Sequence, residues 1–226
     1  MAEMDADCHS KAFRRKLVHI PIVHSETDLG DLSGPVQRAG LRLLGSRAWR
    51  SKLKAIEAMW AEIERSIEHS ELSYERVRLY QDGLPVCGRE LEIVADLAKK
   101  GGLNHRLLQR LIEKGASLMG TESSELLLEE YERAKVVARS AIASHSRRAK
   151  GPRPSTRDPT SLPGDTLLSR RDSFIAARIN STLREGETGI LFLGMLHSLD
   201  NLLAEDIEVV YVPRLPSNSK GKRENE

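Results

Sequence analysis

Short runs of branched apolar residues alternate with longer segments of helical periodicity along most of this chain. The clearest run is GILFLG at 189–194, and similar runs occupy 16–23 and 208–212. A run that is apolar at successive positions indicates a strand buried on both faces of a sheet. Strands separated by helices are joined by crossover connections, which favour parallel pairing. We therefore predict an α/β fold in which a mostly parallel sheet is flanked by helices.

The helical segments show an apolar stripe along one face. In the first of them, Ile56, Trp60 and Ile63 recur at spacings of three and four. Within the first strand, Pro21 removes a hydrogen-bond donor, which favours an edge position or a strand that ends near Pro21. The predicted order is strand 16–23, helix 35–69, strand 76–80, helices 90–99 and 103–114, strand 116–119, helices 124–146 and 168–185, and strands 189–194 and 208–212.

The chain of 226 residues is long enough for a single domain with a sizeable core. We predict a flexible arm at 1–14, one α/β domain at 15–213 and a disordered tail at 214–226. Residues 147–166, RRAKGPRPSTRDPTSLPGDT, are rich in proline and basic residues. This composition indicates an exposed loop or lid inserted into the domain.

Composition argues against several classes of partner. The net charge is only +2 and aromatic residues make up 4%, which disfavours nucleic acid, although the basic run at 147–157 leaves phosphate contact as an alternative. No apolar stretch approaches the roughly 18 residues of a membrane span. The two cysteines, Cys8 and Cys87, lack the spacing of a metal site or a disulfide framework. A cytoplasmic protein is the resulting expectation.

Ionisable side chains follow four of the five predicted strands. Because ligands bind at the carboxyl ends of parallel strands, we expect these side chains to meet at one edge of the sheet. Two imidazoles with carboxylates suit a divalent transition metal, and the alternative is a metal-free site with histidine as general base. The predicted metal ligands are His24, Glu26, Asp82 and His197.

Each of these residues also has a purely structural interpretation. Asp82 precedes Gly83, as turn residues do, and Glu122 falls where a carboxylate complements a helix dipole. A single histidine at a strand end is commonly a hydrogen-bonded loop residue. The chain has no G-x-G-x-x-G and no P-loop after a strand, so no nucleotide cofactor is predicted. Convergence at one sheet edge is what favours a functional interpretation.

The order of these features resembles a known family. A strand ending in His24, a late helix carrying Arg178, and an apolar strand followed by Gly194-Met-Leu-His197 occur in that order. This is similar to the TraB/Tiki group of the erythromycin esterase/ChaN-like superfamily, whose members have two G-x-x-H motifs. The second motif is intact here, whereas the first reads Pro21-Ile-Val-His24. The resemblance implies hydrolysis, metal-dependent on peptides in the Tiki branch and metal-independent on esters in the esterase branch.

The leading hypothesis is a hydrolase-like domain whose catalytic residues are His24, His197, Glu122 and Arg178. In it the histidines hold a metal or act as base, a carboxylate orients water, and Arg178 stabilises developing negative charge. The expected substrate is a small molecule or peptide with an ester, amide or peptide bond. The alternative is a non-catalytic ligand-binding or regulatory domain on the same scaffold, which the proline at the first motif favours. The sequence does not define an oligomeric state.

Overall fold

The computed structural model describes residues 15–22, 33–147 and 166–212. The predicted arm at 1–14, the segment 23–32, nearly all of the predicted loop and the predicted tail lie outside these residues. A short 3-10 helix, Tyr74–Arg76, leads into the second strand. The elements are β1 (Arg15–Ile22), α1 (Ser33–Glu68), β2 (Val77–Gln81), α2 (Glu90–Lys99), α3 (Leu103–Glu113), β3 (Ser117–Met119), α4 (Ser124–Arg147), α5 (Leu167–Thr182), β4 (Thr188–Gly194) and β5 (Ile207–Tyr211).

The five strands form one sheet in the order β3-β2-β4-β1-β5, and every pairing is parallel. This confirms the predicted α/β fold, because a parallel neighbour can be reached only by a crossover connection. β4 lies at the centre of the sheet, and six of its seven residues are buried. The prediction of a strand covered on both faces at 189–194 is therefore confirmed.

Pro21 does not place β1 at the edge of the sheet. β1 lies between β4 and β5 and runs on to Ile22. The pairing with β5 stops at His19, whose carbonyl accepts the N–H of Val212 at 3.1 Å. Backbone groups alternate in direction along a strand, so the nitrogen of Pro21 faces the side on which β5 has already ended. The missing donor therefore interrupts no ladder. The edge interpretation was wrong, whereas the alternative, a strand that ends near Pro21, agrees with the end of β1 at Ile22.

Helices cover the sheet on both faces. On one face the rings of Trp60 in α1 and Phe192 in β4 lie 6.0 Å apart, and Leu108 of α3 packs in the same cluster. On the other face Ile175 and Ile179 of α5 pack in a second cluster. Both faces of the sheet are covered by apolar side chains. The polar side chains that follow the strands therefore lie at the carboxyl ends of those strands.

The longest helix, α1, has 36 residues but is interrupted at Gly45. Gly45 has φ 76° and ψ 161°, a conformation that L-residues with side chains rarely adopt. The predicted single helix is therefore two helical segments joined at this glycine. Among the helices described, none has both the length and the apolar character needed to cross a membrane.

Candidate functional site

Three of the predicted site residues meet at the carboxyl edge of the sheet. Asp82 follows β2, Glu122 follows β3, and His197 follows β4. The sheet order makes β3, β2 and β4 direct neighbours, so these three strand ends are adjacent. One potential ligand atom from each residue lies within 4.8 Å of the others. These residues form a group that could hold a metal ion.

Backbone hydrogen bonds fix both carboxylates. Oδ2 of Asp82 accepts the N–H of Gly194, the last residue of β4, at 2.8 Å. Oε1 of Glu122 accepts the N–H of Gly83 at 3.1 Å. The side chains of Asp82 and Glu122 are 1% and 0% exposed, respectively. Each carboxylate thus ties its own strand end to a neighbouring one, and neither is free to turn into solvent.

Arg171 of α5 joins the two carboxylates. Its guanidinium makes a bidentate pair with Glu122, from Nε to Oε2 at 2.8 Å and from Nη2 to Oε1 at 2.5 Å. Nη2 also donates to Oδ1 of Asp82 at 3.0 Å, and Nη1 donates to Glu130 at 2.7 Å. The Arg171 side chain is 6% exposed. A planar guanidinium is suited to this geometry because its donors match two carboxylates at once.

The electrostatics of this group reflect its burial. Burial raises the pKa of Glu122, the hydrogen bonds and charge of Arg171 oppose that rise, and nearby Asp82 adds to it. Burial acts to lower the pKa of Arg171, but Glu122 outweighs it and the pKa of the guanidinium is raised. Arg171 is therefore always charged. One cation faces two carboxylates, so the group retains negative charge when both acids are ionised.

His197 is oriented by Asp172, the neighbour of Arg171 on α5. Nδ1 of His197 lies 2.5 Å from Oδ1 of Asp172, whose Oδ2 accepts the N–H of Ser198 at 3.3 Å. Because the carboxylate is an acceptor, Nδ1 carries a proton. Nε2 lies 3.6 Å from Oδ2 of Asp82 and therefore faces the other two carboxylates. A carboxylate that orients a histidine in this way is the usual support of a histidine metal ligand.

The other predicted site residues are placed differently. His24 and Glu26 lie outside the described residues, so their roles stay predictions. Arg178 is half-buried, and its Nε donates to the carbonyl of Gly120 at 3.1 Å. In the described structure it is Arg171, two helical turns earlier, that contacts Asp82 and Glu122.

Arg171 and Asp172 were not predicted as site residues. A signal was present, because Arg171 lies four residues before Ile175 and eight before Ile179, on the buried face of α5. A charged residue on the inward face of a helix requires a buried partner.

Asp172→Asn tests whether Asp172 orients His197. The amide can present its NH₂ group to Nδ1, which favours the tautomer that has its proton on Nε2. We expect Zn²⁺ affinity, measured by calorimetric titration, to fall about 10–100-fold. The control is Asp96→Asn, an exposed residue of α2 whose carboxylate lies 3.8 Å from Lys99. Equal Zn²⁺ affinity in Asp172→Asn and Asp96→Asn would show that Asp172 does not support the ligand.

Comparison with protein-family models, with curated proteins and with solved structures finds no match for this chain. The resemblance to the TraB/Tiki group thus stays a prediction from the sequence. What the chain does must be argued from the geometry of Asp82, Glu122, His197 and the two α5 residues that hold them.

Proposed function

We propose that this chain is a metal-dependent hydrolase of an ester, amide or peptide bond. In this proposal Asp82, Glu122 and His197 bind a divalent transition metal ion. The observation that carries the proposal is the convergence of their ligand atoms within 4.8 Å, at the sheet edge where α/β proteins bind ligands. One nitrogen and two carboxylates form a donor set that suits zinc or manganese.

The charge of the cluster supports a divalent ion. Asp82, Glu122 and Asp172 contribute three negative charges when ionised, and Arg171 compensates one of them. Glu130, which also contacts Arg171, is 51% exposed and is solvated. More carboxylates than cations thus lie in the buried part of this group, which favours binding of a cation. A divalent ion at the point where the ligand atoms converge would offset this excess.

The chain's own residues would divide the work of hydrolysis. A divalent ion held by Asp82, Glu122 and His197 would supply an activated water and would polarise the carbonyl under attack. Asp172 would keep the ring of His197 in place through its hydrogen bond to Nδ1. Arg171 would hold the carboxylates of Glu122 and Asp82 in place through its hydrogen bonds to both. His24 and Glu26, predicted from the sequence, would complete the ligand set from the segment that follows β1.

A metal-free version of the same activity has two observations in its favour. Arg171 already places a positive charge between Asp82 and Glu122, and the Asp172–His197 pair has the geometry of a general base with its orienting acid. In that version Nε2 of His197 takes the proton of the attacking water. The two versions differ in one measurable property, the dependence of activity on a metal ion.

Metal removal tests the proposed function. The purified protein is treated with a chelator, assayed against p-nitrophenyl esters and a mixed peptide library, and assayed again after addition of Zn²⁺ or Mn²⁺. We expect hydrolysis to fall to the background rate and to return with the ion, because the activated water depends on it. Asp96→Asn, carried through the same treatment, controls for damage by the chelator.

Two other results of this experiment would each lead to a different conclusion. Activity that survives complete metal removal would replace the metal-dependent mechanism with the His197 general-base mechanism. A metal-loaded protein that cleaves none of these substrates would contradict hydrolysis and favour the non-catalytic ligand-binding alternative.

A further inference from the structure

A cleft of about 190 Å³ opens between α1 and α3 and is lined only by residues of these two helices. It lies on the face of the sheet opposite α5, and none of Asp82, Glu122 and His197 lines it. Because a water molecule occupies about 30 Å³, the cleft has room for roughly six waters or for one small organic molecule. Its size therefore suits a metabolite rather than a macromolecule.

Ion pairs join α1 and α3 beside the cleft, toward the C-terminal ends of both helices. Lys114 of α3 lies 4.0 Å from Glu68 of α1, and Arg110 pairs with Glu64, four residues earlier on each helix. A shift of four residues on both partners means that the two helices run side by side in the same direction. The next position of this series on α3 is Arg106, which lines the cleft.

Arg106 does not find a carboxylate at the next position of the series, because the residue of α1 at that position is Trp60. Within the described ranges the Arg106 side chain makes one long hydrogen bond, from Nε to the carbonyl of Ala98 at 3.4 Å, and no ion pair. Trp60 also lines the cleft and is 4% exposed, and its indole N–H has no hydrogen-bond partner. Nη1 and Nη2 of Arg106 are therefore available to an anion in the cleft.

A carboxylate from the other helix completes the charge pattern of the cleft. Glu57 of α1 lines it, is exposed, and forms no ion pair with the part of the chain that the structure describes. Glu64 and Arg110 also line the cleft, but they compensate each other. The cleft thus presents one unpaired cation and one unpaired anion, from opposite helices. This pattern favours a ligand with both charges over a phosphate compound, whose negative charges Glu57 would repel.

We propose that this cleft binds a free α-amino acid with an apolar side chain. Its carboxylate pairs with Arg106, as the glutamates of α1 pair with the next two cations of α3, and its ammonium group pairs with Glu57. Its side chain packs against Trp60 and Leu107, the buried apolar residues of the lining. The site is separate from the proposed metal centre, so it does not depend on the proposed function.

Calorimetric titration of the full chain with L-alanine, L-leucine, L-methionine and L-phenylalanine tests the proposal. We expect a Kd of about 0.01–1 mM for the best of them, because the ligand is small and the cleft is partly open. The N-acetyl form of that amino acid lacks the ammonium charge, and its amide lacks the carboxylate. Each should bind about three- to tenfold more weakly than the free amino acid. A Kd above about 10 mM for all four amino acids would overturn the proposal.

Two variants assign the contacts when they are combined with these analogues. Arg106→Gln should weaken binding of the free amino acid about three- to tenfold but leave binding of the amide unchanged. Glu57→Gln should weaken binding of the free amino acid similarly but leave binding of the N-acetyl form unchanged. Both side chains are exposed, so the fold should be kept, which circular dichroism checks.

Arg89→Gln and Glu92→Gln are the matched controls. These two residues form an exposed ion pair of 2.6 Å at the start of α2, do not line the cleft, and should bind the amino acid like wild type when substituted. Unchanged affinity in Arg106→Gln would overturn the proposal. An N-acetyl form that binds as tightly as the free amino acid would also overturn it and would identify the C-terminus of a peptide as the occupant.

Discussion

Replacing Arg171 with leucine should lower the free energy of unfolding by about 3–5 kcal/mol. The guanidinium is the cation in contact with both Asp82 and Glu122, and all three side chains are at least nine-tenths buried. Its removal leaves two carboxylates in a low-dielectric environment without their partner, which costs more than the ion pairs themselves contribute. Urea denaturation of the chelator-treated protein, followed by circular dichroism, measures the loss.

Arg170→Leu is the matched control. Arg170 is the preceding residue of α5, but it is exposed and pairs with Glu129 at 2.8 Å on the surface. An exposed ion pair of this kind is worth less than about 1 kcal/mol, so Arg170→Leu should be nearly as stable as wild type. Equal losses in the two variants would contradict a buried, charge-compensating role for Arg171.

The pH dependence of the Arg171→Leu loss has a definite sign. Burial already raises the pKa of Glu122, and Arg171 opposes that rise, so removing Arg171 raises this pKa further. A carboxyl with a raised folded-state pKa holds its proton better when folded, so the folded state loses stability as pH rises from the ordinary pKa through the raised one. The difference between wild type and Arg171→Leu should therefore shrink toward acid pH. Adding Glu122→Gln to Arg171→Leu should recover part of the loss at neutral pH.

His197→Ala has the largest expected effect on activity. We expect the rate of hydrolysis in the metal-loaded protein to fall about 10²–10⁴-fold, because in the proposed function His197 supplies either a metal ligand or the general base. In both versions of the mechanism Nε2 is the reacting or ligating atom, and Asp172 aims it at Asp82. Initial rates with the best ester or peptide substrate, at saturating Zn²⁺ or Mn²⁺, measure this effect.

His69→Ala is the control for loss of an imidazole. His69 is exposed just after α1, and its Nδ1 contacts the carbonyl of Arg65 at 2.7 Å. Its substitution should leave the rate unchanged. A rate in His197→Ala within twofold of wild type would remove His197 from the mechanism and with it the site proposed here.

The fold could be predicted because the sequence patterns that indicate its strands and helices are local. Four apolar residues in succession between the glycines at 189 and 194 leave no polar face, so the strand must lie in the middle of a covered sheet. The order of strands and helices then makes parallel pairing the simplest connection. From parallel pairing it follows that Asp82, Glu122 and His197 share one edge, and the sheet order places their three strands side by side.

The remainder of the site depends on contacts between distant parts of the chain. Arg171 reaches Glu122 across 49 residues and Asp82 across 89, distances at which no sequence spacing identifies a partner. In the sequence Asp172 is an ordinary helix residue. Only in the folded chain does His197, which follows β4, lie beside it. The interior position of β1 was missed for a similar reason, since it depends on the pairing of β1 with both β4 and β5.

Direct titration of the chelator-treated protein with Zn²⁺ tests the central claim, that Asp82, Glu122 and His197 form a metal site. We expect the wild type to bind one ion per chain. Binding should be lost or greatly weakened in His197→Ala and in Asp82→Asn. It should be kept in His69→Ala. A wild-type protein that binds no Zn²⁺ or Mn²⁺, or a His197→Ala variant that binds the ion as tightly as wild type, would contradict this claim.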